Sequence, residues 1–323
     1  MKPLRSIYIS LAAIASSFAI NNSVFADTYP SRAIKVIVPY APGGGADSFA
    51  RLSAPELEKV LGAQLIIENM AGANSAIGAQ AMARAKPDGY TLLFTTDSTA
   101  VANPLLYKNL SYKAEELVSV GTLNEVALGI VVADSLPIKT FKELVEYTKT
   151  HKGNLAYGSY GLGSQAHMMG EAYNKLTDSK LVHVPYKGAA PAVTDVMAGQ
   201  VLFTFPALIT VRGNIQAQKL RMLAVTSSAR LPSLPDVPTF KELGLNWVDG
   251  AYRGVAVPKS TPLILQQKLS DYFAKLNADP ETKKKLEESG FVIVDVPLAK
   301  MPAFMKEKIP QAMDDAKNAG LIK

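Results

Sequence analysis

The chain has 323 residues, 48% of them hydrophobic and 19% charged, with 22 Gly, 20 Pro, no Cys and a formal net charge of +6. Its length suggests two compact domains, and this much apolar content broken by Gly and Pro excludes disordered, collagen-like and coiled-coil chains. The lack of cysteine excludes a disulfide framework, a thiolate zinc site, an iron–sulfur cluster and a thiol nucleophile, and His151, His167 and His183 form no H-E-x-x-H pair, so no metal or other cofactor is expected.

Lys2 and Arg5 precede a mostly apolar run from Ile7 to Ile20, and Val24-Phe25-Ala26 fits the small-x-small cleavage rule. Residues 1–26 therefore read as a signal peptide cut after Ala26, the run being shorter than the ~20 residues of a spanning helix. The mature protein is expected to be soluble and, in a bacterium, periplasmic. Loss of Lys2 and Arg5 lowers the charge from +6 to +4, a mild bias toward anions and small for a nucleic-acid binder. Lys283-Lys284-Lys285, with Glu287 and Glu288 beyond, reads as a solvated helix face.

Along the mature chain, Ile34–Val38 predicts a strand, Pro39 to Asp47 a glycine loop, and the spacing of Phe49, Leu52, Leu57 and Leu61 a helix. Strands follow at 65–68 and 90–95 with a helix at 77–85 between them, then strands at 128–132 and 155–157 around a helix at 141–150. A second glycine loop, Gly158-Ser159-Tyr160-Gly161-Leu162-Gly163-Ser164, leads into a helix at 165–176. Beyond it come strands at 181–184, 201–205, 221–226 and 254–257, a helix at 191–198, and three helices near the C-terminus. Alternation of strand and helix implies βαβ units and largely parallel sheets. If one α/β half is inserted into the other, the chain crosses near 121–126 and 223–227; tandem halves would give the same pattern.

Each half thus contains a glycine turn opening a helix, whose first N–H groups lack partners and favour an anion. Two such turns across a cleft would clamp one small anion. Neither is a P-loop or a G-x-G-x-x-G fingerprint, and the first has no Arg or Lys before Arg51, so carboxylate fits better than phosphate. Asp47 is the expected N-cap of the first helix and Ser164 that of the second, with His167 one turn in. Tyr40, Tyr160, Tyr186 and Tyr252 fall at strand ends or loops where rings can wall a pocket; Lys187 and Arg253 follow two of them and could meet a second carboxylate. No G-x-S-x-G elbow is present. A hydrolase built on Ser159 or Ser164 with His167 or His183 is the catalytic alternative.

Four strings in register, Pro39-Tyr40-Ala41-Pro42-Gly43-Gly44-Gly45-Ala46-Asp47, Lys86-Pro87-Asp88-Gly89-Tyr90-Thr91-Leu92, His183-Val184-Pro185-Tyr186-Lys187-Gly188 and Leu234-Pro235-Asp236-Val237-Pro238-Thr239, resemble the Bug-type solute receptors of tripartite tricarboxylate transporters. The likeness runs from about Tyr29 to the C-terminal helices. It implies an α/β periplasmic-binding-protein fold of the Venus-flytrap kind, each domain a mainly parallel sheet flanked by helices. Domain 1 would be 27–123 plus 226–323, and domain 2 an insertion at 124–225, with the ligand cleft between them. The resemblance further implies a small organic acid as ligand (di- or tricarboxylate or aromatic), membrane components of the transporter as partners, no nucleic acid and no reaction; closure by free domain motion favours a monomer. The grips it implies are Tyr40 to Asp47 and Ser159, Tyr160, Gly161, Gly163 and Ser164 with His167. Where a Trp-x-Gly is common in the family this chain has Tyr252-Arg253-Gly254, which makes Arg253 a candidate for a second carboxylate. An exported hydrolase of an acidic ester, or a receptor feeding a sensor kinase, are the alternative functions.

Overall fold

The computed structural model describes residues 29–322 other than 152, 154, 248 and 249, so the expected signal peptide lies outside the described residues. The strands form two sheets. The first is ordered β11-β4-β10-β3-β1-β2 and the second β7-β6-β8-β5-β9. The first comprises β1 (Ile34–Val38), β2 (Leu65–Asn69), β3 (Thr91–Thr96), β4 (Leu117–Ala127), β10 (Gly250–Pro258) and β11 (Phe291–Ile293). The second comprises β5 (Gly129–Ala133), β6 (Ala156–Ser159), β7 (Val182–Pro185), β8 (Phe203–Thr204) and β9 (Leu220–Val225).

Period-2 patterning explains why both faces of each sheet are covered. In β1, Ile34, Val36 and Val38 join one apolar cluster with α1 (Gly45–Leu61) and α8 (Leu263–Ala278), while Ile37 turns to the other face beneath α2 (Ala76–Ala83). In β5, Ile130 and Val132 meet α4 (Phe141–Thr150) and α5 (Gln165–Thr177), and Val131 meets α6 (Ala189–Met197) and α7 (Leu208–Gln216). Helix α4 starts where Thr140 accepts from Glu143 N–H and the Glu143 carboxylate accepts from Thr140 N–H, a capping box. The short α3 (Asn103–Leu106) follows β3, and helices α9 (Pro280–Glu288) and α10 (Met301–Asn318) complete the C-terminal part. On α9 the lysine run pairs with Glu281, Glu287 and Glu56, as a solvated face should.

The expected parallel βαβ pairing holds for β1 with β2 and β3 and for β6 with β7 and β8. The strands that carry the chain between sheets run antiparallel: β10 to both β3 and β4, β11 to β4, and β5 to β8 and β9. Residues 121–126, expected as a crossing, lie inside β4, which pairs with β10 as far as Ala127. The chain leaves the first sheet at Leu128. There Leu128 N–H donates to Thr226 Oγ1 (3.0 Å) and Thr226 N–H to the Leu128 carbonyl (2.8 Å), so the outgoing crossing is tied to the residue after β9. The return crossing, expected near 223–227, lies further on, since the chain rejoins the first sheet at β10. Residues after Thr226 stay with the second sheet, where Phe240 and Trp247 pack against Phe141.

Candidate anion-binding site between the lobes

The first glycine loop turns the chain from β1 into α1. Gly43 has φ +78°, a conformation that favours glycine, and Gly44 is the N-cap with no side chain to satisfy the helix N–H groups. Asp47 sits within the first helical turn, not at the N-cap as expected. Its carboxylate accepts from Gly43 N–H, Arg51 Nε and Asn69 Nδ2. Burial works against ionisation there, but the hydrogen bonds from Arg51, Gly43 and Asn69 outweigh it and hold the carboxyl below its ordinary value. Asp47 braces the loop and leaves its helix N–H groups to another acceptor.

Two further helices begin at the same place. A Cβ on Gly44 would lie 3.6 Å from Ala189 N, the first residue of α6, and one on Gly45 would lie 3.1 Å from Ala207 Cβ, the N-cap of α7. The same Gly45 position is 3.0 Å from Arg253 Nη2, so glycine is needed for this close approach. Arg253 comes from β10, and its Nε and Nη1 are buried with no hydrogen-bond partner. Burial lowers its pKa, against the influence of Tyr160, Asp97 and Tyr40.

Tyr40, Gly44, Gly45, Ala46, Thr96, Asp97 and Arg253 of the first lobe, Leu128 at the crossing, and Tyr160, Ala189 and Ala207 of the second enclose a cavity of about 40 Å³. That is space for a few water-sized groups. Tyr40 and Tyr160 meet edge to face at 6.1 Å across it, and Tyr40 Oη lies 3.1 Å from Thr96 Oγ1. Burial raises the pKa of both phenols, so both stay neutral and able to donate. Each helix start adds about half a positive charge. A guanidinium with open donors, three helix N-termini and neutral hydroxyls line the cavity together with Asp97, an arrangement chemically able to hold an anionic head group.

Of the sequence candidates, Tyr40, Gly44, Gly45, Ala46, Tyr160 and Arg253 come together here. Ala41, Pro42 and Gly43 form the loop behind, with Ala41 N–H donating to the Lys187 carbonyl of the second lobe (3.1 Å). The Lys187 side chain is exposed, and Tyr186 Oη donates to Asp195 (2.6 Å) instead of facing the cavity. Tyr252, one residue before Arg253 on a strand, points to the opposite face and packs against Phe304. Further along the second glycine loop, Gly161 abuts Asn74 and Gly163 abuts Leu106 of the first lobe.

The Ser164 hydroxyl caps α5 as expected, accepting from His167 N–H. His167 Nδ1 accepts from Gly163 N–H (2.9 Å), and its ring stacks on His183 at 3.9 Å. His167 therefore supports the loop from within. Ser159 Oγ is 2.7 Å from His183 Nε2 but is fully buried and absent from the cavity wall.

Sequence reasoning missed Thr96, Asp97, Leu128, Ala189 and Ala207. The polar end of β3 (Thr95-Thr96-Asp97-Ser98) and the period of Leu208, Val211 and Ile215 after Pro206 were the available signals. Among the described residues no group of three or more His, Cys, Asp or Glu could hold a metal ion, and no helix is long and apolar enough to cross a membrane. Larger grooves of about 570 Å³ along α5 and α10 and about 430 Å³ beside β4 contain neither Arg253 nor the first glycine loop.

Two lobes joined by crossing segments around a half-open cleft define the two-domain periplasmic-binding-protein fold. Residues 49–318 match the model of the tripartite tricarboxylate transporter family receptor, and the chain belongs to that family. It is similar to protein BugT of Bordetella pertussis, 38% identical over 258 residues, with 79% of this chain and 77% of BugT covered. It is also similar to the solved structure of the periplasmic binding protein BugD (TM-score 0.85, 32% identity, 91% of this chain and 99% of that one). The R. palustris protein Rpa4515 solved with adipate is a further neighbour (TM-score 0.86, 29% identity, 90% and 98% covered).

Proposed function

We propose that this protein is exported to the periplasm, closes its two lobes on the carboxylate of a small organic acid, and delivers that acid to the membrane components of a tripartite tricarboxylate transporter. It acts as a monomer and performs no reaction on the ligand. The lobes that close are residues 29–127 with 250–322, and the inserted stretch between them.

The observation that carries this function is Arg253: a buried cation with two open N–H donors, beside the starts of α1, α6 and α7, in a cavity walled by both lobes. Buried N–H donors left open are costly and strongly attractive to a carboxylate, which accepts from the guanidinium fork with two oxygens. Adipate in the Rpa4515 neighbour is a ligand of the same chemistry. A hydrolase would need its nucleophile on the cavity wall, and Ser159 lies outside it.

Arg253→Met tests the proposal. It leaves Asp97 without the cation that shares its wall, so the ligand-free melting temperature is not expected to rise. The same change abolishes the melting-temperature rise that acids give the unaltered protein, since ligand binding to the folded state alone produces that rise. An Arg253→Met protein that still responds to acids like the unaltered one would refute the site.

A further inference from the structure

Resting on the receptor function above, we infer that the cavity selects acids bearing a single carboxylate and discriminates against dicarboxylates, with Asp97 as the residue that sets this limit. The inference departs from the di- or tricarboxylate expected from family resemblance.

The positive elements address one point, not two ends of a diacid. Arg253 Nη2 and Ala207 Cβ both lie within 3.1 Å of where a Gly45 Cβ would stand, and Ala189 N lies 3.6 Å from the corresponding position on Gly44. One carboxylate group placed there accepts from the guanidinium and from the helix starts together. Among the described residues on the wall the charged ones are Arg253 and Asp97. Asp97 follows the last residue of β3, and its negative charge is felt at Tyr40, Tyr160, Tyr252 and Arg253. Thr96, Tyr40 and Tyr160 supply neutral hydroxyls around it.

Formally Arg253 and Asp97 cancel, leaving the partial positive charge of three helix N-termini to balance a monoanion. A second carboxylate held in the same half-open cleft, of about 40 Å³, would have no cation of its own and would stand beside a like charge. That charge is poorly compensated. The like-charge repulsion that disfavours two neighbouring ionised carboxyls applies equally to a ligand and Asp97.

Calorimetric titration of the mature protein and of Asp97→Asn with length-matched pairs, butyrate with succinate, hexanoate with adipate and benzoate with terephthalate, provides the test. In the unaltered protein the monoacid of any pair that binds is expected at least tenfold tighter than its diacid, and Asp97→Asn narrows that ratio to threefold or less. A diacid that binds the unaltered protein as tightly as its monoacid, or a ratio unmoved in folded Asp97→Asn, overturns the inference. If Asp97→Asn fails to fold, Asp97→Ser replaces it, and the ranking in the unaltered protein still decides. Absence of binding by every member of every pair would instead refute the receptor function beneath the inference, so the two failures are distinguishable.

Discussion

Gly44 shows how one position can separate folding from binding. Its backbone is extended, with φ −77° and ψ 169°, so other residues are tolerated, and an added Cβ would find only van der Waals contacts at 3.5–3.9 Å. Aspartate at this point fits the fold, yet its carboxylate competes for the N–H groups at which an acid would sit. Gly44→Asp is therefore expected to weaken acid binding at least tenfold, about 1.4 kcal/mol or more, while the ligand-free melting temperature moves by only a few degrees. Calorimetry and thermal unfolding of the same preparation check both halves. At this scale the sequence was informative where backbone geometry demands a residue type: Tyr40 to Ala46 lie on a glycine turn, and Arg253 stands out beside Tyr252 on a strand. It was silent on Ala189 and Ala207, because alanine has no chemistry to notice; they matter only as helix starts brought near Gly44 and Gly45 by tertiary packing. His167 and Tyr252 were misplaced for a related reason. Proximity along the chain does not say whether a side chain faces the cleft or the interior.

Helix α5 and the loop before it rest on stacked imidazoles. His183 lies between Tyr157, at 5.2 Å between ring centroids, and His167, at 3.9 Å, with its Nε2 on Ser159 Oγ. Burial, then the neighbouring His167, lowers the His183 pKa from 6.5 to about 4; burial also lowers that of His167, against the pull of Glu171. Below its ordinary value of 6.5 the unfolded chain binds a proton at His183 that the folded chain takes up only near pH 4. Stability from this group is thus complete above pH 6.5 and is lost as pH falls from there toward 4. Melting temperature is expected to fall across that window, and His183→Gln, which keeps a hydrogen-bonding group for Ser159, should flatten the fall. A slope unchanged by His183→Gln would show that other groups govern acid unfolding. Elements with strong local periodicity, such as β1, α1 and α4, were legible because apolar spacing and caps define them. Strand β4 was not, since its run through Ser119, Gly121, Thr122 and Asn124 carries little apolar alternation and owes its place to pairing with β10 and β11.

For the molecule as a whole, the chain leaves the first lobe at Leu128, which is tied to Thr226, and re-enters it at β10. Polar contacts between the lobes include Ala41 N–H to the Lys187 carbonyl, Tyr107 Oη to the Leu162 carbonyl at 2.8 Å, and Arg212 Nη1 to the Glu288 carbonyl at 3.0 Å. Exposed bonds of this kind contribute about 1 kcal/mol each, a balance that a bound anion can tip by bridging Arg253 and Gly45 of one lobe to Ala189 and Ala207 of the other. Two lobes were foreseeable from length and from the repeat of strand, glycine turn and helix. The outgoing crossing was displaced by a few residues, because one continuous extended segment serves both sheets and only hydrogen-bond pairing shows where it changes partner; the return crossing was misplaced further, because the segment after β9 packs back on the second sheet before β10. The most direct test is a crystal structure of the mature protein with whichever acid gives the largest rise in melting temperature. The expected result is a ligand carboxylate about 2.7–2.9 Å from Arg253 Nε or Nη1 and within hydrogen-bonding distance of the first N–H groups of α1. An acid bound elsewhere, with the Arg253 guanidinium still unpaired, would contradict the account.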